Sequence, residues 1–139
     1  NEIKSLVDTK NLHNIFILNS QPRSILQNYY DIADFAISIH PVEAELHKYG
    51  CSPLKVIDYM NAKLPIFYIG DSSLLDDNSF KGLIESKFDE KAVIESFIRI
   101  SELSKQEMIK MGNDNYIFVN KNNSIEVIKN SIEAIFERV

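Results

Sequence analysis

The stretch GCSPLKVIDYMNAKLPIF, Gly50 to Phe67, decides the fold, because a helix start, a short helix and a buried strand follow one another within it. Ser52 has the short hydroxyl side chain of a good N-cap, and Pro53 suits the first helical position, where a missing N–H costs nothing. Val56, Ile57, Met60 and Leu64 recur at three- and four-residue spacing and give the helix one apolar face. PIFYI, Pro65 to Ile69, is a continuous β-branched and aromatic run, the pattern of a strand covered on both sides.

Upstream, NIFIL (Asn14 to Leu18) and DFAISI (Asp34 to Ile39) repeat that strand pattern, and SILQNYYDIA (Ser24 to Ala33) lies between them with the spacing of a helix. Strands alternating with helices of this length predict a parallel sheet with helices on its faces. Downstream of Gly70, GLI (Gly82 to Ile84) reads as one last short strand. Helical runs follow, carrying Val93, Phe97 and Ile100, then Met108 and Met111, then Ile125, Ile128, Ile132, Ile135 and Val139. That final stripe predicts a helix packed on the core. The break between the last two helices is expected within Asn113 to Ser124, where Asn and Ser compete for backbone hydrogen bonds. Residues 1–85 thus form an α/β part and 86–139 a helical tail, with no internal repeat or low-complexity tract.

At 139 residues the chain fits one domain able to bury about two thirds of its unfolded surface. It opens on Asn1 and on what reads as the end of an amphipathic helix with Ile3, Leu6, Val7 and Leu12, so the expectation is a piece of a longer protein. A net charge of -5 with no basic run argues against a nucleic-acid partner, while leaving a nucleotide-sized ligand open. A single cysteine, Cys51, rules out an internal disulfide and a multi-cysteine zinc site. No apolar run approaches the roughly 20 residues that span a bilayer. The expected location is the cytoplasm or the inner face of the membrane.

Lys55 stands at the third position of the helix, where the positive end of the helix dipole disfavours a cation by about 0.3–1 kcal/mol. An anion docked at the same end reverses that sign, and helix N-termini after parallel strands are common phosphate sites. Asp58, three residues on, lies off the apolar face, within about 9 Å of Ser52 along the axis at 1.5 Å per residue. A nucleotide laid along that face would put its diphosphate at the helix tip and its ribose hydroxyls near Asp58, a carboxylate being a natural acceptor for a diol. The simpler alternative is an exposed Lys55–Asp58 ion pair worth at most about 1 kcal/mol.

These residues resemble a known family. SPLKVIDYMNAKLPIF is similar to the SPLK-x-x-E-Y-M-A-x-x-x-P-V stretch of GT-B glycosyltransferases, in the glycogen-synthase-like retaining branch. NIFILNSQPRSILQNYYDIADFAISIHP resembles the preceding strand, loop, helix and strand of their C-terminal donor-binding domain. The likeness runs from about residue 10 to Gly70 and implies a partial Rossmann-like parallel sheet of three to four strands, with flanking helices and an all-helical tail. It implies further that Ser52, Pro53, Leu54 and Lys55 meet the diphosphate of a UDP- or GDP-sugar and that Asp58 holds the ribose. Ser20, Gln21, Pro22 and Arg23 would lie by the nucleobase, with Gly50 and Cys51 also near base or sugar.

On this resemblance the parent enzyme moves a hexose to a glycan or lipid-linked acceptor, as in polysaccharide biosynthesis, without a metal or other cofactor. The isolated part would bind donor but turn nothing over. Two positions depart from the family: Gly50 stands where the first glutamate of its glutamate, seven residues, glutamate motif belongs, and Asp58 is a shorter acid than the second. Glu43 and Glu45 lie too far upstream to match. The motif assigns no catalytic residue here.

Other chemistries fit less well. His40, His47 and Cys51 lack the helical frame that would turn their spacing into a metal site or a cysteine-nucleophile site. Gly50, Gly70, Gly82 and Gly112 are too scattered for a dinucleotide-binding turn. A receiver-like domain needs an aspartate ending a central strand, which IFILNS and FAISIHP do not offer. The remaining non-enzyme reading is a degenerate donor domain that serves as a binding or assembly module, with Gly50 as the feature in its favour.

Overall fold

Ile66, Phe67, Tyr68 and Ile69 form a strand buried along its whole length, and the rest of the molecule is arranged around it. The computed structural model describes residues 2–40, 54–70 and 81–136. Their elements run α1 (Glu2–Thr9), α2 (Arg23–Ile32), β1 (Ala36–Ile39), α3 (Leu54–Asn61), β2 (Ile66–Ile69), β3 (Leu83–Ser86), α4 (Glu90–Ser101), α5 (Lys105–Asn123) and α6 (Ile125–Phe136). The fold is α/β. Its three strands lie in the order β1-β2-β3, all parallel, with Ala36 opposite Ile66 and Ile66 opposite Leu83.

Alternation along β2 sorts the core onto two faces. Ile66 and Tyr68 pack with Val56 and Met60 of α3 and Val119 of α5. Phe67 and Ile69 pack on the opposite face with Ile84 of β3 and Ile100 of α4. Phe97 of α4 meets Phe67 edge to face, ring centroids 4.9 Å apart. This cover stops short of β1, whose Ile37 and Ile39 remain exposed on the second face.

The helix predicted from Val56, Ile57, Met60 and Leu64 turns that face inward: Val56, Met60 and Leu64 are buried and Ile57 packs against them. Its end is a Schellman turn, with the Leu64 N–H donating to the Tyr59 carbonyl and the Lys63 N–H to the Met60 carbonyl. Lys63 takes the left-handed position usual for glycine, with φ of 58°. Its ammonium sits 4.8 Å from the centre of the Tyr116 ring, a contact that offsets part of the backbone cost.

Two expectations need correction. NIFIL forms no strand: residues 14–18 lie outside the sheet, and Ile15, Phe16, Ile17 and Leu18 are exposed. Side-chain pattern records only what a strand could bury, whereas a strand exists only where a neighbour takes its N–H and C=O groups, and among the described residues the ladder ends at β1. The final helix forms with the predicted stripe yet buries none of its residues; Ile125, Ile128, Ile132 and Ile135 all face outward. Val139 lies outside the described residues. The helix break expected within Asn113 to Ser124 falls inside that range, at its last residue, Ser124, because α5 carries its asparagines through.

Asn115 explains much of that persistence, since its buried amide donates to the Leu64 carbonyl at 2.8 Å and to the Gly82 carbonyl at 2.9 Å. Asn120 and Asn122 turn their amides back to carbonyls one turn earlier. The helix begins on a capping box, Ser104 accepting from the Glu107 N–H while the Glu107 carboxylate accepts from the Ser104 N–H. Bonds from Ser104 hold the Glu107 carboxyl below its ordinary range.

Candidate functional site

The connection from β1 through α3 to β2 joins parallel neighbours, so α3 begins at the carboxyl edge of the sheet and runs back along one face. Leu54 and Lys55 stand exposed in its first turn. Gly50, Cys51, Ser52 and Pro53, expected at the tip, lie outside the described residues, as do Glu43, Glu45 and His47. Lys55 forms no ion pair with the described residues.

One turn on, Asp58 receives a hydrogen bond from Arg23, Nη2 to Oδ1 at 2.9 Å, across 35 residues of sequence. The alternative Lys55–Asp58 pair is therefore corrected: the partner is Arg23 of α2. Its guanidinium is 89% exposed and the carboxylate 35% exposed, so the bond orders the two helices against each other without contributing more than about 1 kcal/mol. One carboxylate oxygen is engaged by the guanidinium, and both groups are reachable from solvent.

Ser20, Gln21 and Pro22 lead into α2, with Pro22 at its N-cap position, where it offers no side-chain cap. The Gln21 amide donates to the Asn19 carbonyl at 3.1 Å. Ser20 and Pro22 are exposed. The start of α2 and the middle of α3 are thus neighbours, and Tyr30 meets Tyr59 edge to face behind them, centroids 5.6 Å apart. Burial and then the Asp58 carboxylate raise the Tyr30 hydroxyl above its usual pKa, while Arg23 pulls it back. Burial, Tyr30 and Asp58 raise Tyr59 in the same direction. Both phenols stay protonated near neutrality.

A residue that the sequence offers as a metal ligand or a member of a cysteine-nucleophile site also belongs to this edge. His40 follows the last residue of β1, its ring lying against Tyr68. The legible signal was its place directly after the alternating run Ala36 to Ile39, which puts a polar side chain at the carboxyl end of a strand. Among the described residues, no group of three or more His, Cys, Asp or Glu side chains is placed to hold a metal ion. No helix among them is long and apolar enough to cross a membrane.

Compared with protein-family models, with curated proteins and with solved structures, the chain matches none.

Proposed function

We propose that the chain is the donor-binding, C-terminal part of a GT-B glycosyltransferase whose parent transfers a hexose from a UDP- or GDP-sugar to a glycan or lipid-linked acceptor. The observation that supports this best is the meeting of Arg23 with Asp58 at 2.9 Å, on the helix that also carries Lys55 at the carboxyl edge of a parallel sheet. Two segments singled out separately for nucleotide contact are neighbours in space. Lys55 then answers the phosphates, and the second carboxylate oxygen of Asp58 answers the ribose diol. During transfer the basic groups would stabilise the diphosphate as negative charge develops on it, without calling on a metal. The parent works in the cytoplasm or at the inner membrane face, its acceptor held by another domain.

Affinities for UDP and for 2′,3′-dideoxy-UDP test these roles separately. Lys55→Ala is expected to weaken both nucleotides about tenfold, the loss of one charge-assisted contact. Asp58→Asn is expected to weaken UDP several-fold and leave the dideoxy compound unchanged. Equal effects of Asp58→Asn on the two would remove the ribose assignment.

A second reading, a non-catalytic assembly module, draws support from α1 and α6, which bury no residue and expose Ile3, Leu6, Ile128 and Ile132. It predicts that neither variant alters any nucleotide affinity.

A further inference from the structure

The ring of His40 is held from two sides. Nε2 lies 2.7 Å from the hydroxyl of buried Ser38. The imidazole stacks on Tyr68 with centroids 4.9 Å apart and planes 14° from parallel. The His40 backbone N–H donates to the Ile69 carbonyl at 2.8 Å, which fixes the end of β1 against β2. With Nε2 taken by Ser38, Nδ1 is the ring nitrogen left over, and it has no hydrogen-bond partner among the described residues.

Gly70 has φ of 146°, and a Cβ there would run into the His40 carbonyl, so the end of β2 projects no side chain beside the imidazole. Lys55 lies in the first turn of α3, which starts at this same carboxyl edge of the sheet. Burial, and after it the Lys55 charge, lowers the pKa of His40, so the two basic groups feel each other. Among the described residues, the Tyr68 ring from β2 and the Ser38 hydroxyl from its own strand touch the imidazole, and Lys55 of α3 is the charge that acts on it. None is an acid. Two basic groups from different elements, with no carboxylate beside them among the described residues, repel when both are charged, and an anion between them removes that cost.

We propose that His40 is a second basic contact, beside Lys55, for the phosphate groups of the nucleotide, Nδ1 reaching the anion while Ser38 holds Nε2 and Tyr68 holds the ring plane. This rests on the nucleotide reading above and adds to it a residue to which the resemblance assigns no role. It explains why, among the described residues, a half-buried histidine is anchored through one ring nitrogen.

The test follows the His40 imidazole resonances through a pH titration of the whole chain, alone and with UDP or inorganic pyrophosphate. Either anion is expected to raise the midpoint by about one pH unit, because a phosphate within contact distance favours the charged ring. His40→Phe preserves the stacking surface on Tyr68 but removes Nδ1, and is expected to weaken pyrophosphate binding about tenfold. A midpoint unmoved by UDP or pyrophosphate, while the Lys55 amide does shift, overturns the His40 proposal and leaves the nucleotide reading standing. Silence of both Lys55 and His40 toward UDP, GDP, ADP and pyrophosphate overturns both. The wild-type midpoint decides the matter even if His40→Phe fails to fold.

Discussion

Asn115→Ala is expected to lower the unfolding free energy by about 3 kcal/mol, the cost of leaving two buried carbonyls with one hydrogen bond fewer each. The amide is 1% exposed and joins three elements: it sits on α5, bonds the Leu64 carbonyl just before β2, and bonds the Gly82 carbonyl just before β3. The Gly82 carbonyl also accepts from the Ile66 N–H at 3.0 Å, so Asn115 extends the ladder between β2 and β3 beyond its last pair. Gly82 is bare because a Cβ there would collide with the Asn115 side chain. Asn115→Asp should be worse than alanine, since a carboxylate has no N–H to give and turns negative oxygens toward two carbonyls. Chemical denaturation of the two variants measures the order; an aspartate variant as stable as the wild type would remove the bridging role.

Gly112→Ala is expected to destabilise by about 2 kcal/mol, a value typical of forcing a methyl group into packed surroundings. Helix propensity alone predicts the opposite sign, because Ala is favoured over Gly by about 1 kcal/mol inside a helix. Gly112 lies in the middle of α5 and is buried. A Cβ there would strike the carbonyl of Lys63, which is backbone and cannot swing aside. That carbonyl belongs to the left-handed residue that ends α3, so the methyl would push the Schellman turn away from α5. The thermal midpoint of Gly112→Ala reads the effect directly, and a rise would show that the close approach of α3 to α5 is looser than described.

What the sequence discloses, and what it withholds, follows from the range of the interactions involved. Val56, Met60 and Leu64 announce their buried face because periodicity is local, and β2 announces itself because both sides of Ile66 to Ile69 are covered. NIFIL carries the same signature without forming a strand, because pairing depends on a neighbouring edge that composition does not describe. The last helix shows the same limit from another side: its isoleucine stripe fixes a face, while what meets that face is a question about other parts of space. Asn115 reads as a helix breaker among other asparagines, and only contacts 33 and 51 residues away make it part of the core. In the candidate site, Lys55 and Asp58 were legible from their spacing on one helix. The partner of Asp58 was not, since Arg23 reaches it across 35 residues through the packing of α2 on α3. His40 was legible as a polar end to a strand, but its hold on Ser38 and Tyr68 and its nearness to Lys55 needed the sheet to be assembled.

In the proposed donor site a nucleoside diphosphate would lie along α3 from Lys55 to Asp58, with Arg23 and His40 at its margins. Backbone amide shifts recorded while UDP, GDP and ADP are added in turn to the whole chain test it most directly. UDP or GDP is expected to move the amides of Leu54 to Asp58 and of Arg23 and His40, saturably, and ADP to move them less. Titrations that leave those amides in place for all three nucleotides, or that move only residues of α1 and α6, would contradict it.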